Sequence, residues 1–150
     1  MGLDDLTEGE LYHVAFLLED EGYRFYEAIA ASAGDLMVRN EVGFLRDEEA
    51  RHRSYFRSRL EVEPEGDRAA RARSFVRREL VEPLSEYYDG DRIQNPGDAL
   101  RFGAVLEQKS IEFYTELQRL VGEEAALERI AEILGEERRH LKRIHQILVD

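Results

Sequence analysis

The stretch Leu18-Glu19-Asp20-Glu21-Gly22-Tyr23-Arg24-Phe25-Tyr26 returns 88 residues later as Leu106-Glu107-Gln108-Lys109-Ser110-Ile111-Glu112-Phe113-Tyr114, with Glu, Phe and Tyr in their places. A second pair obeys the same offset. Asp47-Glu48-Glu49-Ala50-Arg51-His52 aligns with Gly135-Glu136-Glu137-Arg138-Arg139-His140, each ending in Glu-x-x-His. The chain reads as a duplicated hairpin, and its repeated acids and histidines pose the functional question.

Working outward, Tyr12, Ala15, Glu19, Gly22, Tyr26, Ile29 and Ala33 recur at spacings of three and four, which predicts a helix from about Leu11 to Ala33 with Glu19 inside the apolar stripe. Ala33-Gly34-Asp35 predicts a stop and a new start, with Gly34 able to turn left-handed and Asp35 able to cap free N–H groups. The second helix, about Leu36 to Leu60, follows Val38, Val42, Leu45, Glu49, His52 and Phe56. Asp98 is the expected cap of the third, striped by Leu100, Gly103, Glu107, Ser110, Tyr114, Leu117 and Val121. The fourth shows Ala126, Ile130, Ile133, Glu137, His140, Ile144 and Ile147, and Gly122 repeats Gly34 at the same offset.

The predicted fold is all-α, one domain over 1–150: a four-helix bundle made of hairpin one (about 8–60), a connector (61–97) and hairpin two (98–150). Pro64-Glu65-Gly66 and Asn95-Pro96-Gly97 frame the connector as turn signals, and a helix is expected within residues 67 to 88. Its Arg68, Arg71, Arg73, Arg77 and Arg78 read as a solvated face.

Gly34 lies 15 residues from both Glu19 and Glu49, and Gly122 lies 15 from both Glu107 and Glu137. At about 1.5 Å rise per residue, each acid sits roughly 22 Å from its turn. Two such hairpins bring four carboxylates and, one helical turn along, His52 and His140 into one layer. Buried carboxylates repel one another and cost several kcal/mol each to desolvate. Divalent cations resolve the conflict, and oxygen donors with one imidazole per ion suit iron or manganese. A dinuclear centre is expected, two carboxylates bridging and two terminal.

Glu10-Leu11-Tyr12-His13 also fits Glu-x-x-His, but Asp98 and Arg101 stand at its repeat positions, so it is expected at the surface. Glu48 and Glu136 are repeated too; they lie off the apolar stripe and read as solvated. Tyr26 and Tyr114 are either core aromatics or phenols bonded to ligand carboxylates.

Composition agrees with one core, at 43% hydrophobic and 36% charged over 150 residues. A formal charge of -12 argues against nucleic acid and anionic membrane surfaces and favours cations. Without cysteine there is no disulfide and no thiolate site. The opening Met1-Gly2-Leu3-Asp4-Asp5 lacks the basic and apolar regions of a leader, so a cytoplasmic protein is expected.

Glu-x6-Tyr, followed 30 residues later by the Glu of Glu-x-x-His and then repeated, resembles the ferritin-like di-iron carboxylate superfamily. The Glu-Gly-Tyr-x-Phe-Tyr wording and the helical connector most resemble the rubrerythrin-like proteins. The resemblance implies two bound iron ions, manganese being the other candidate. Their ligands would be Glu19, Glu49, His52, Glu107, Glu137 and His140, with Tyr26 and Tyr114 beside them as candidate catalytic phenols supplying a proton or an electron. It implies a non-haem oxidoreductase reducing hydrogen peroxide or dioxygen, and a homo-oligomer such as a dimer. The cysteines of a rubredoxin module are lacking, so an external electron donor such as a rubredoxin-like protein is implied. Ser110 stands where rubrerythrins usually add a glutamate, which brings the ligand set closer to that of bacterioferritin. A ferroxidase or iron-storage module and a metal-free interaction bundle are the alternative readings.

Overall fold

The computed structural model describes residues 2–60, 66–82 and 96–149. After a short 3-10 turn, Leu3–Asp5, come α1 (Glu8–Ser32), α2 (Leu36–Ser58), α3 (Gly66–Val76, continued by a π-helical stretch Arg77–Val81), α4 (Pro96–Leu120) and α5 (Glu124–Val149). Among the described residues there is no strand, and no helix is long and apolar enough to cross a membrane.

The two hairpins are copies down to their connections, residues 33–35 and 121–123. Asp35 caps α2 as expected, accepting from the Met37 and Val38 N–H groups at 2.8 and 3.2 Å. Gly34 is not left-handed. The turn is made by extended backbone at Ala33 (φ -69, ψ 125), and the one positive-φ residue among those described is Gly66 (φ 62), at the start of α3. The third bundle helix begins at Pro96, two residues before the expected cap, and Asp98 accepts from Arg101 within its first turn. The connector helix occupies 66–82 of the expected 67–88; residues 83–88, Pro64, Glu65 and Asn95 lie outside the described residues.

Apolar stripes make the bundle. Phe25 of α1 meets Phe102 of α4 at 4.3 Å between ring centroids, and Phe56 of α2 stacks on Tyr114 of α4 at 5.7 Å. On the opposite side Arg143 of α5 forms a two-pronged ion pair with Glu41 of α2 at 2.5 and 2.6 Å. Ile130, Ile133, Ile144 and Leu117 are fully buried, each contributing about 1.5–3 kcal/mol. Helix α3 lies on α1 through buried Ala69, Ala72, Val76 and Leu80; Arg68, Arg73, Arg77 and Arg78 are exposed as read from the sequence, whereas Arg71, though partly exposed, reaches α1.

That docking corrects the expectation for Glu10 and His13, which are buried. Glu10 closes the α1 capping box, accepting from the Thr7 N–H at 3.1 Å, and its other oxygen lies 2.8 Å from Arg71 Nε of α3. Neither residue joins a candidate metal group among the described residues. Glu10→Ala should therefore leave metal content unchanged while lowering stability by about 0.5–2 kcal/mol, measured by thermal melting.

Candidate metal centre

Each bundle helix delivers one acid at the same depth. Glu19 comes from α1, Glu49 and His52 from α2, Glu107 from α4, and Glu137 and His140 from α5, all of them buried. Their ligand atoms form two groups, Glu19/Glu49/His52/Glu137 and Glu49/Glu107/Glu137/His140, with one atom per residue and all within 4.8 Å of one another. Glu49 and Glu137 belong to both. Exchanging hairpins swaps Glu19 for Glu107 and His52 for His140, so the duplication is a pseudo-two-fold axis through the site.

Within this layer Glu19 Oε2, His52 Nδ1, Glu107 Oε2, both Glu137 oxygens and His140 Nδ1 are buried without a hydrogen-bond partner. His52 Nδ1 lies 3.1 Å from Glu137 Oε1 and 3.4 Å from Glu19 Oε2. His140 Nδ1 lies 3.7 Å from Glu107 Oε1 and 3.9 Å from Glu137 Oε1. Each unsatisfied buried group costs about 1–3 kcal/mol, more when charged, so a convergent set of them fits cations as the missing partners.

The charges on the metal-free protein follow from the same crowding. Burial, then the charges of Glu137, Glu19 and Glu107, pushes Glu49 well above the usual carboxylate range. Burial and Glu107 do the same to Glu137. Glu19 ends lowered: burial raises it, but the His52 charge and hydrogen bonds outweigh burial. Glu107 ends lowered too, since the adjacent Glu137 and His140 groups and the hydrogen bond from Tyr26 overcome burial. Burial would lower the His52 imidazole, yet Glu19, Glu49 and Glu136 raise it to about 10. The shared carboxylates thus hold protons where the terminal ones are ionised.

Tyr26 and Tyr114 are more than core aromatics. The Tyr26 hydroxyl donates to Glu107 Oε1 at 2.8 Å, and the Tyr114 hydroxyl donates to Glu19 Oε1. Each tyrosine of one hairpin holds the acid of the other. Burial, then the neighbouring carboxylates, pushes both phenols well above their ordinary range, so they keep their protons.

Two glycines make room for these contacts. A Cβ on Gly103 would meet the Tyr26 hydroxyl at 3.2 Å, and one on Gly22 would meet Glu49 Oε2 at 2.8 Å. The space beside Gly22 is occupied by the Glu49 carboxylate. That carboxylate is the far end of a flexible side chain, so Gly22→Ala should displace it at little cost to the fold. The expected result is normal helicity with markedly weaker metal binding, read by circular dichroism and metal analysis; undiminished binding would contradict the close approach. Ser110, the repeat partner of Gly22, is also buried.

Glu48 and Glu136, expected to be solvated, are not. Glu48 is buried and Glu136 half-buried, and Glu136 Oε2 lies 2.5 Å from His52 Nε2. Their repetition at the 88-residue offset was the available signal. It was masked because each precedes a stripe acid and so lies off the apolar stripe.

The rubrerythrin family model matches residues 10–148. Neither the curated proteins nor the solved structures give a significant match. The family match runs through all four bundle helices and every residue of the buried acid–histidine layer, and the chain belongs to the rubrerythrin family.

Proposed function

We propose that this chain is a non-haem di-iron oxidoreductase that reduces hydrogen peroxide or dioxygen. The observation that carries the reading is the sharing of Glu49 and Glu137 between two donor groups, each completed by one acid and one histidine. Four carboxylates match the charge of two divalent ions, and the oxygen-rich donor set suits iron, with manganese next. Family membership supports iron.

When bound, a ferrous pair supplies two electrons, one per ion, to the oxidant. Reduction of one hydrogen peroxide to two waters also consumes two protons. The protein's part is positional. Glu49 and Glu137 would bridge, fixing one spacing, while Glu19 with His52 and Glu107 with His140 would close the two ends. Tyr26 and Tyr114 each bind Oε1 of a terminal carboxylate and leave its Oε2 without a protein partner. Residues 1–150 contain no cysteine, so the electrons that reset the centre would come from a donor outside them, such as a rubredoxin-like protein.

The test is anaerobic loading with iron(II), then peroxide in the presence of an electron donor. Sustained turnover supports the proposal. A single oxidation followed by uptake of iron beyond two per chain supports a ferroxidase or storage role instead, and failure to retain metal leaves the interaction bundle. Tyr26→Phe should lower metal affinity about tenfold, because Glu107 loses the donor that fixes it. An unchanged affinity would show that the hydroxyl does not hold that carboxylate.

A further inference from the structure

The duplication places Glu136 of α5 and Glu48 of α2 at equivalent positions, each just before a shared acid, so symmetry would give each histidine one carboxylate partner. The structure breaks that symmetry. His52 turns Nδ1 toward the acids of the layer and Nε2 toward Glu136, with Oε2 at 2.5 Å. Glu48 does not do the same for His140. Its Oε1 pairs with Arg51 Nη2 at 2.5 Å, and its carboxylate lies within 4.8 Å of both Glu136 and His52. Both acids of the repeated doublet therefore gather on one histidine.

His140 has a different outer side. Among the described residues, the carboxylates within 4.0 Å of its ring are Glu107 and Glu137, both at Nδ1. Edge-on to the ring stands Phe44, with centroids 6.2 Å apart and Phe44 itself 51% exposed. The two imidazoles are nearly parallel, 6.4 Å apart at 19°, so the inequivalence lies in what backs each ring and not in how the rings are turned.

A carboxylate that accepts from the outer N–H of a ligating imidazole fixes the proton on that nitrogen and leaves the inner nitrogen free to bind metal. It also makes the ring a stronger donor, and such partners change metal affinity by about 10–100-fold. Resting on the metal-centre reading, we propose that the two metal positions are inequivalent: the His52 position is the tight one, made so by Glu136 as its positioning residue, and the His140 position is the weaker, readily exchanged one.

Cobalt(II) titration of the metal-free protein, followed by its visible spectrum, tests this. Wild type should bind two ions in separate steps whose affinities differ at least about tenfold. His52→Ala should remove the tighter step and His140→Ala the weaker. Glu136→Ala should weaken the tight step about 10–100-fold and leave the weak step in place. Glu136→Gln, which keeps an acceptor but not the charge, should give a smaller shift of the same step and serves if the alanine variant folds poorly. Glu132→Ala, an exposed acid on the same helix paired with Arg129, is the control for charge alone and should shift neither step. Two ions of equal affinity in wild type, or equal weakening of both steps by loss of Glu136, overturns the inference while leaving the metal centre intact. A protein that binds no cobalt overturns the metal-centre reading, and the inference with it.

Discussion

Glu49→Leu is expected to abolish binding of both metal ions and yet to raise the melting temperature of the metal-free protein. The first effect follows from geometry. Glu49 contributes to both donor groups, so its loss leaves each position with three donors and removes a carboxylate that would be shared between the two ions. Glu107→Leu takes a donor from one group alone and should leave one ion bound. The second effect follows from desolvation. Glu49 is buried among three other acids and is pushed well above the carboxylate range by burial and their charges. Replacing crowded buried ionisable groups with apolar side chains of similar volume is often neutral or stabilising, by up to about 4 kcal/mol, so the expected shift is upward by up to several degrees for a chain of this size. The residue conflicts with folding and is explained by what it binds. Metal analysis and calorimetry on the same variant read both effects; retention of two ions by Glu49→Leu would falsify the bridging assignment.

The parts of this molecule legible in the sequence are those written twice. The 88-residue offset located four helices, both turns and the six residues of the layer, because a repeat tests each position against a second copy. Asp35 was readable from cap chemistry alone. What escaped detection lacks a copy or depends on contacts between helices. Helix α3 has no repeat partner, so nothing in the sequence indicated that it would lie on α1 and bury Glu10 against Arg71. Gly34 looked like a left-handed stop, but an extended Ala33 performs the same reversal. Glu48 and Glu136 were visible as repeats, yet helical periodicity assigns a face and not a partner. A residue one position off the stripe can still reach across a helix seam, as Glu136 does to His52. Gly22 was legible only as a position on the apolar stripe, whereas the structure brings the Glu49 carboxylate against it, a contact between helices that a one-dimensional pattern does not encode.

Loading the metal-free protein with two divalent ions is expected to release about three protons and to raise its melting temperature steeply. The protons are those of Glu49, Glu137 and His52. Burial and neighbouring acids keep the two carboxyls protonated, and for His52 the adjacent carboxylates overcome burial and hold the imidazole charged up to about pH 10. All three must deprotonate to act as ligands. Protons and metal compete for the same atoms, so apparent affinity rises with pH through the neutral range, by up to about tenfold per pH unit for each proton displaced. At a thousandfold excess over the dissociation constant, binding adds about 4 kcal/mol, which for a chain of this size corresponds to roughly 8–16 °C. Calorimetric titration in buffers of different ionisation enthalpy counts the protons, and melting with and without chelator reads the stabilisation. Binding that releases no protons and is independent of pH between 6 and 8 would mean that the ions sit elsewhere, on the acidic surface and not between Glu49 and Glu137.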